Sequence, residues 1–93
     1  MKLAVTPKAY ADMEAIRAYL IGRSPAAAGR VGAAFLDAFR IIAEHPNIGR
    51  QLARRVRRFV LPRYPYLVFY KVTEAEVQIL AVRHAARRPE GEA

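Results

Sequence analysis

The sequence predicts an α+β domain: a short N-terminal strand, then an antiparallel two-helix hairpin packed on a mainly antiparallel β-sheet. Three observations predict it. Apolar residues recur at helical period through the first half and alternate at strand period through the second. Two hydroxyl–proline pairs, Thr6-Pro7 and Ser24-Pro25, mark helix starts. The links between successive elements are so short that neighbours must run antiparallel. With 93 residues, of which 54% are hydrophobic, the chain has enough for one core and no room for a second. A single domain over residues 1–93 is expected, with residues 89–93 as a flexible tail.

Residues 2–6 are short, partly apolar and stopped by Pro7, which reads as a brief first strand with Thr6 as the helix N-cap. In the first helix Ala9, Met13, Ile16 and Leu20 form one stripe, while Asp12, Glu14 and Arg17 lie off it. Gly22 ends it. Ser24 caps a second, longer helix whose core line is Ala28, Val31, Phe35, Ala38 and Ile42, with Leu36, Phe39 and Ile41 widening the apolar face. His45 is placed in its last turn, where the helix dipole favours partial positive charge, and Pro46 ends it.

Asn47-Ile48-Gly49-Arg50 reads as a turn. Beyond it, β-branched and aromatic residues mark three strands at residues 56–61, 66–73 and 77–83, joined by Pro62-Arg63-Tyr64-Pro65 and Glu74-Ala75-Glu76. Tyr66, Val68, Tyr70 and Val72 point one way, and Leu67, Phe69 and Lys71 the other. Val77, Ile79 and Ala81 alternate with Gln78, Leu80 and Val82. Both faces of these strands are thus largely apolar. A helical hairpin covers only one, so the other is expected to meet the C-terminal segment, a second copy or a partner.

The net charge is +8, and its placement is more informative than its size. Arg50, Arg54, Arg55, Arg57, Arg58, Arg63 and Lys71 fall between His45 and Thr73 with no acidic residue among them, while the flanking segments are nearly balanced. Thirteen of the sixteen cations are Arg, which binds carboxylates and phosphates through a planar fork. The block reads as a surface for an anionic partner, either an acidic polypeptide or nucleic acid, against the plainer reading of a solvated face.

Little else carries chemistry. There is no cysteine, which removes disulfides, zinc–thiolate sites and a thiol nucleophile and suits a reducing cytoplasm. There is no phosphate-cradling glycine loop and no metal-ligand spacing, so no metal or cofactor is implied; Ser24, the sole serine, is spent on a cap. The opening is too short and too soon broken for a signal peptide, and no apolar run spans a bilayer, so a soluble, unprocessed, cytoplasmic chain with no membrane partner is expected. One cluster stands out: Arg83-His84 closes the last strand and leads into Arg87-Arg88, gathering an imidazole and three guanidinium groups that could hold a phosphate. A strand ending in a solvated basic tail reads the same residues equally well.

Four segments together resemble the ParE branch of the ParE/RelE toxin superfamily. They are Ala9-x-x-Asp12-Met13-x-x-Ile16-x-x-Tyr19-Leu20, His45-Pro46-Asn47-Ile48-Gly49-Arg50, Tyr66-Leu67-Val68-Phe69-Tyr70-Lys71-Val72, and the run from Val77 through Arg83-His84-Ala85-Ala86-Arg87. In order and spacing they cover nearly the whole chain. The resemblance implies a strand, a helical hairpin and three antiparallel strands, in agreement with the residue-level reading. It implies a cognate antitoxin whose acidic C-terminal segment lies on the toxin, with Arg50, Arg54, Arg55, Arg57, Arg58, Tyr70 and Lys71 as the expected contacts, in a hetero-oligomer or alongside a homodimer.

Two activities compete within the superfamily. ParE-like proteins bind DNA gyrase and catalyse nothing; RelE-like proteins cut messenger RNA in the ribosomal A site, often with a C-terminal Tyr. This chain has no Tyr after Tyr70, and its Arg83-His84-Ala85-Ala86-Arg87 ending looks more like ParE. A gyrase inhibitor is therefore expected, with Arg83, His84, Arg87 and Arg88 contacting the target. The alternative, a ribosome-dependent endoribonuclease, would draw on Arg58, Arg63, Arg83 and His84, and an interaction module without toxicity is the third reading.

Overall fold

The computed structural model describes residues 1–86. The elements run β1 (Lys2–Val5), α1 (Pro7–Ile21), α2 (Pro25–Glu44), β2 (Arg50–Ala53), β3 (Val56–Val60), β4 (Tyr66–Val72) and β5 (Glu76–His84). Both caps form as the sequence implies: the Thr6 hydroxyl accepts from the Ala9 amide at 3.2 Å and the Ser24 hydroxyl from the Ala27 amide at 3.2 Å. His45 lies just past the last turn of α2, at its C-cap, rather than inside it. The expected tail at residues 89–93, and Arg87 and Arg88 with it, lie outside the described residues. No helix among the described residues is long and apolar enough to cross a membrane.

The sheet has the order β1-β5-β4-β3-β2. β1 runs parallel to β5, and the other three pairings are antiparallel. The helical hairpin lies on one face. Val31, Phe35, Ala38, Phe39 and Ile42 of α2 and Ala9 of α1 meet Tyr66, Val68, Tyr70, Val77 and Ile79 in a single core, and Phe35 stands edge-on to Tyr66 with ring centroids 5.5 Å apart. Leu36 departs from expectation. It is 65% exposed, because its place on α2 faces away from the sheet.

Two corrections concern the strands. The segment after Gly49 is not only a turn: Arg50 opens β2, which pairs with β3 and is exposed at all four residues. Its polar composition hid it, since an edge strand with little buried surface has no apolar alternation to show. In β5 the alternation slips. Register shifts opposite Phe69 and Tyr70, so Val82, expected to face away from Val77 and Ile79, is 2% exposed and joins the core.

Beyond Ile79, β5 outruns β1, and side chains from the start of the helical hairpin take over its edge. The Thr6 hydroxyl donates to the Ile79 carbonyl at 2.8 Å, and the Asp12 carboxylate accepts from the Val82 amide at 3.0 Å while holding Lys8 Nζ at 3.0 Å. Asp12 thereby ties α1 to the strand that ends in Arg83-His84. Asp12→Ala leaves that strand amide without its acceptor, so stability should fall by about 1–2 kcal/mol. Thermal unfolding checks this, and an unchanged midpoint would show that the bond contributes nothing.

Candidate functional site

The basic block lies at and beside the open face of the sheet. Cross-strand partners point the same way, so the buried positions Val68 and Tyr70 put their neighbours Leu67, Phe69 and Lys71 on the face without helices. Arg58 stands opposite Phe69, Val60 opposite Leu67 and Val56 opposite Lys71, which adds all three to that face. Arg50 stands directly opposite Arg58. Across β5, Leu67 faces Arg83, whose guanidinium lies 5.8 Å from the centre of the Phe69 ring. The result is a half-exposed apolar strip of Val60, Leu67 and Phe69 bordered by cations.

Among the described residues those cations have no acidic ion-pair partner. The ion pairs among the described residues are Lys8–Asp12, Arg17–Glu14 and Arg40–Asp37, all on the helices. Arg58 Nε is shut off from solvent with no hydrogen-bond partner. Arg54 and Arg55 form the exposed β2–β3 turn, where Arg55 adopts a left-handed φ of 58°. Arg63 sits in the β3–β4 loop at φ 72°. A short, tight connection explains both: neither residue is a glycine, so the pairing on either side must impose the conformation.

Two of the expected contact residues have different duties. Tyr70 is 0% exposed, and its hydroxyl donates to the Pro46 carbonyl at 2.7 Å and accepts from the Gly49 amide at 2.9 Å. It presents no surface to a partner. Burial pushes this hydroxyl above its ordinary value, opposed by the Gly49 hydrogen bond and the Arg57 charge. Arg57 donates to the carbonyls of Asn47 at 3.2 Å and Gly49 at 2.7 Å, so its guanidinium staples the turn that delivers β2. Sequence spacing held no sign of these bonds, since the partners of Tyr70 lie 21 and 24 residues away and those of Arg57 10 and 8, and they meet only once the strands have paired.

A second feature lies on the helix side. A groove of about 780 Å³ opens between α1, the start of α2 and the end of β5, lined by Ile16, Tyr19, Leu20, Tyr64, Tyr66 and His84. His84 stands edge-on to Tyr66 at 5.4 Å, and Arg23 lies 4.5 Å over the Tyr19 ring. Burial, with Tyr19 adding to it, raises the Tyr66 hydroxyl. His84 Nδ1 accepts from the Ala86 amide at 3.1 Å, which leaves the neutral imidazole with its proton on Nε2.

Arg83 and His84 are adjacent in sequence, yet the alternation sends their side chains to opposite faces. The arginine lies over Phe69 on the open side and the imidazole against Tyr66 on the helix side. The expected meeting of the imidazole with Arg83 is therefore not formed. Arg58 shares the open face with Arg83, and Arg63 stays in its loop. Among the described residues no three His, Asp or Glu side chains gather as a metal site would need.

The family model for the ParE toxin of the type II toxin–antitoxin system parDE matches residues 3–89. Toxin RelE2 of Caulobacter vibrioides is 39% identical over 82 residues, covering 88% of this chain and 92% of that protein. Toxin RelE3 of the same organism is 29% identical over 84 residues, covering 88% and 91%. Among solved structures, one described as "Chromosomal ParDE TA system from P. aeruginosa" superposes with a TM-score of 0.77 at 27% identity, over 90% of this chain and 95% of that one.

Proposed function

Because the chain belongs to the ParE toxin family of type II toxin–antitoxin systems, we propose that it acts by binding DNA gyrase, catalyses no reaction itself, and is neutralised by a cognate antitoxin with an acidic C-terminal segment. The observation that carries the non-catalytic reading is the division of the would-be nuclease residues between two faces of the sheet. Cleavage of RNA needs an acid or base and charge-stabilising groups within hydrogen-bond reach of one phosphate. Here Arg58 and Arg83 lie on the open face, while His84 lies on the other with its lone pair occupied by the Ala86 amide. An imidazole so held is a donor through Nε2, suited to grip a target carbonyl or carboxylate.

In this reading the antitoxin covers the open sheet face, where Arg50, Arg54, Arg55, Arg58 and Lys71 supply steering and Val60, Leu67 and Phe69 supply buried area. Arg83 and His84, with Arg87 and Arg88, form the gyrase contact. The nuclease reading is kept by the names of the two Caulobacter relatives, and it would use Arg58, Arg63, Arg83 and His84.

The test is direct. Purified chain added to gyrase and relaxed plasmid should block supercoiling, and primer extension on translated messenger should show no new A-site cuts; the reverse pair of results establishes the nuclease. His84→Ala separates them again. A nuclease that relies on the imidazole loses about 100-fold or more in cleavage, whereas growth arrest by a gyrase binder should persist.

A further inference from the structure

We infer that two copies of this chain associate edge to edge through β1, antiparallel about a two-fold axis at Ala4, and bury between them the apolar groove that β1 forms with the two helices. The inference does not depend on the target, and it uses a part of the surface that neither the antitoxin nor the gyrase reading occupies.

Two observations meet at this edge. The first is a row of backbone groups. The Thr6 amide donates to the Ile79 carbonyl at 3.1 Å, and backbone groups on a strand turn to alternate sides, so Lys2 and Ala4 bond to β5 while the amides and carbonyls of Leu3 and Val5 point outward. Outside the ladder, neither residue has a backbone hydrogen bond among the described residues. The second is a groove of about 380 Å³ beside that row, with Leu3, Val5, Met13 and Phe39 on its floor and Tyr10 and Leu36 at its rim. Tyr10 is 63% exposed, Leu36 65% and Met1 50%. Met1 is kept next to the groove because its amine donates to the Ala43 carbonyl of α2 at 2.8 Å. Apolar side chains on an unpaired strand edge are a template for pairing.

Self-complementarity selects a second copy as the occupant. With Ala4 opposite Ala4, Leu3 of each copy stands opposite Val5 of the other, and their outward amides and carbonyls fall into hydrogen-bonded pairs. Lys2, the one charge on β1, then lies opposite Thr6, so no like charges oppose one another. Leu3 and Val5 align with the core residues Val77 and Ile79 and so face the helices, which makes the two grooves continuous across the axis. Arg40 in the groove wall is already paired with Asp37 at 3.1 Å. The basic block is remote: β2 is four strand spacings from β1, so the two blocks lie about 40 Å apart against a screening length of about 8 Å. Association through β2 would instead set the five arginines of residues 50–58 against their copies. The surface joined at β1 is on the order of 1,000 Å² in total, the range of a dimer that dissociates on dilution.

Sedimentation equilibrium of the full chain tests this. Between about 1 μM and about 1 mM the 10.5 kDa mass should double. Leu36→Glu and Tyr10→Glu, both at exposed rim positions, should each weaken association by about tenfold or more, since a carboxylate would be buried there without a partner. Arg50→Glu should change it by less than about twofold, and raising salt from about 0.15 M to about 0.5 M by less than about threefold. Amide exchange at Leu3 and Val5 should slow by about fivefold or more from dilute to concentrated protein, with β4 amides reporting that the fold is intact in every variant. A mass that stays monomeric over the whole range overturns the inference. So does association undiminished in both rim variants, or concentration-dependent protection at residues 50–53 in place of Leu3 and Val5.

Discussion

Gly49→Val should collapse the fold, and Gly49→Ala should lower the melting temperature by about 10 °C or more. A Cβ at this position would lie 2.7 Å from the Tyr70 hydroxyl, 2.8 Å from its ring edge and 2.9 Å from the Arg58 carbonyl. None of the three can give way cheaply. The hydroxyl is held by Pro46 and by Gly49 itself, and the carbonyl belongs to the backbone of β3. Overpacking of this kind costs about 1–3 kcal/mol, and a branched side chain more, a large part of the stability of so small a domain. Space rather than backbone conformation demands the glycine. Gly29 and Gly32 provide the contrast: a Cβ there meets nothing within 4 Å, so alanine in these α2 positions should stabilise by about 0.5–1 kcal/mol. Thermal melts of the three alanine variants check the ordering, and a Gly49→Ala protein as stable as the parent would refute the packing argument. Because the Gly49 turn sets where β2 begins, the same variant should also weaken whatever binds at Arg50 and Arg58.

Tyr70→Phe should cost about 2–4 kcal/mol although it removes a single oxygen atom. The loss is large because two backbone groups, the Gly49 amide and the Pro46 carbonyl, lose their partner in a place water cannot reach freely. The variant also has a signature in pH. Burial holds the Tyr70 hydroxyl above its ordinary value of 10.0, so the folded chain binds that proton more tightly than the unfolded chain does. Its stabilising contribution is complete below about pH 10 and is lost as pH rises from there through the folded-state value. Denaturant melts between neutral and strongly alkaline pH should show stability falling more steeply in the parent than in Tyr70→Phe. A residual alkaline slope is expected from Tyr66, whose hydroxyl is raised by burial and by Tyr19. Parallel slopes in the two proteins would show that Tyr70 is not the titrating group.

The turn held by Tyr70 and Arg57 borders the proposed partner surface as well as the core. It fixes the exit of α2 relative to the first residue of β2, and so the register that sets Arg50 opposite Arg58. A core tyrosine can be taken for a contact residue there, because aromatic character alone does not tell a buried hydroxyl from an exposed one.

Much of the fold was legible from spacing and punctuation. Thr6-Pro7 and Ser24-Pro25 set both helix starts because capping is a local affair of a hydroxyl and the next few amides. β3, β4 and β5 were visible because their alternation reflects burial against the helices. The open apolar face followed from the same alternation, since a hairpin of two helices covers one side of a sheet. What only the tertiary structure decided depends on residues distant in sequence: the parallel pairing of β1 with β5, the polar edge strand β2, the bulge that turns Val82 inward, and the Asp12 carboxylate on the Val82 amide. The parting of Arg83 from His84 is of that kind as well. Neighbouring residues on a strand face opposite ways, but which of the two faces holds the helices is set by the packing of the whole chain.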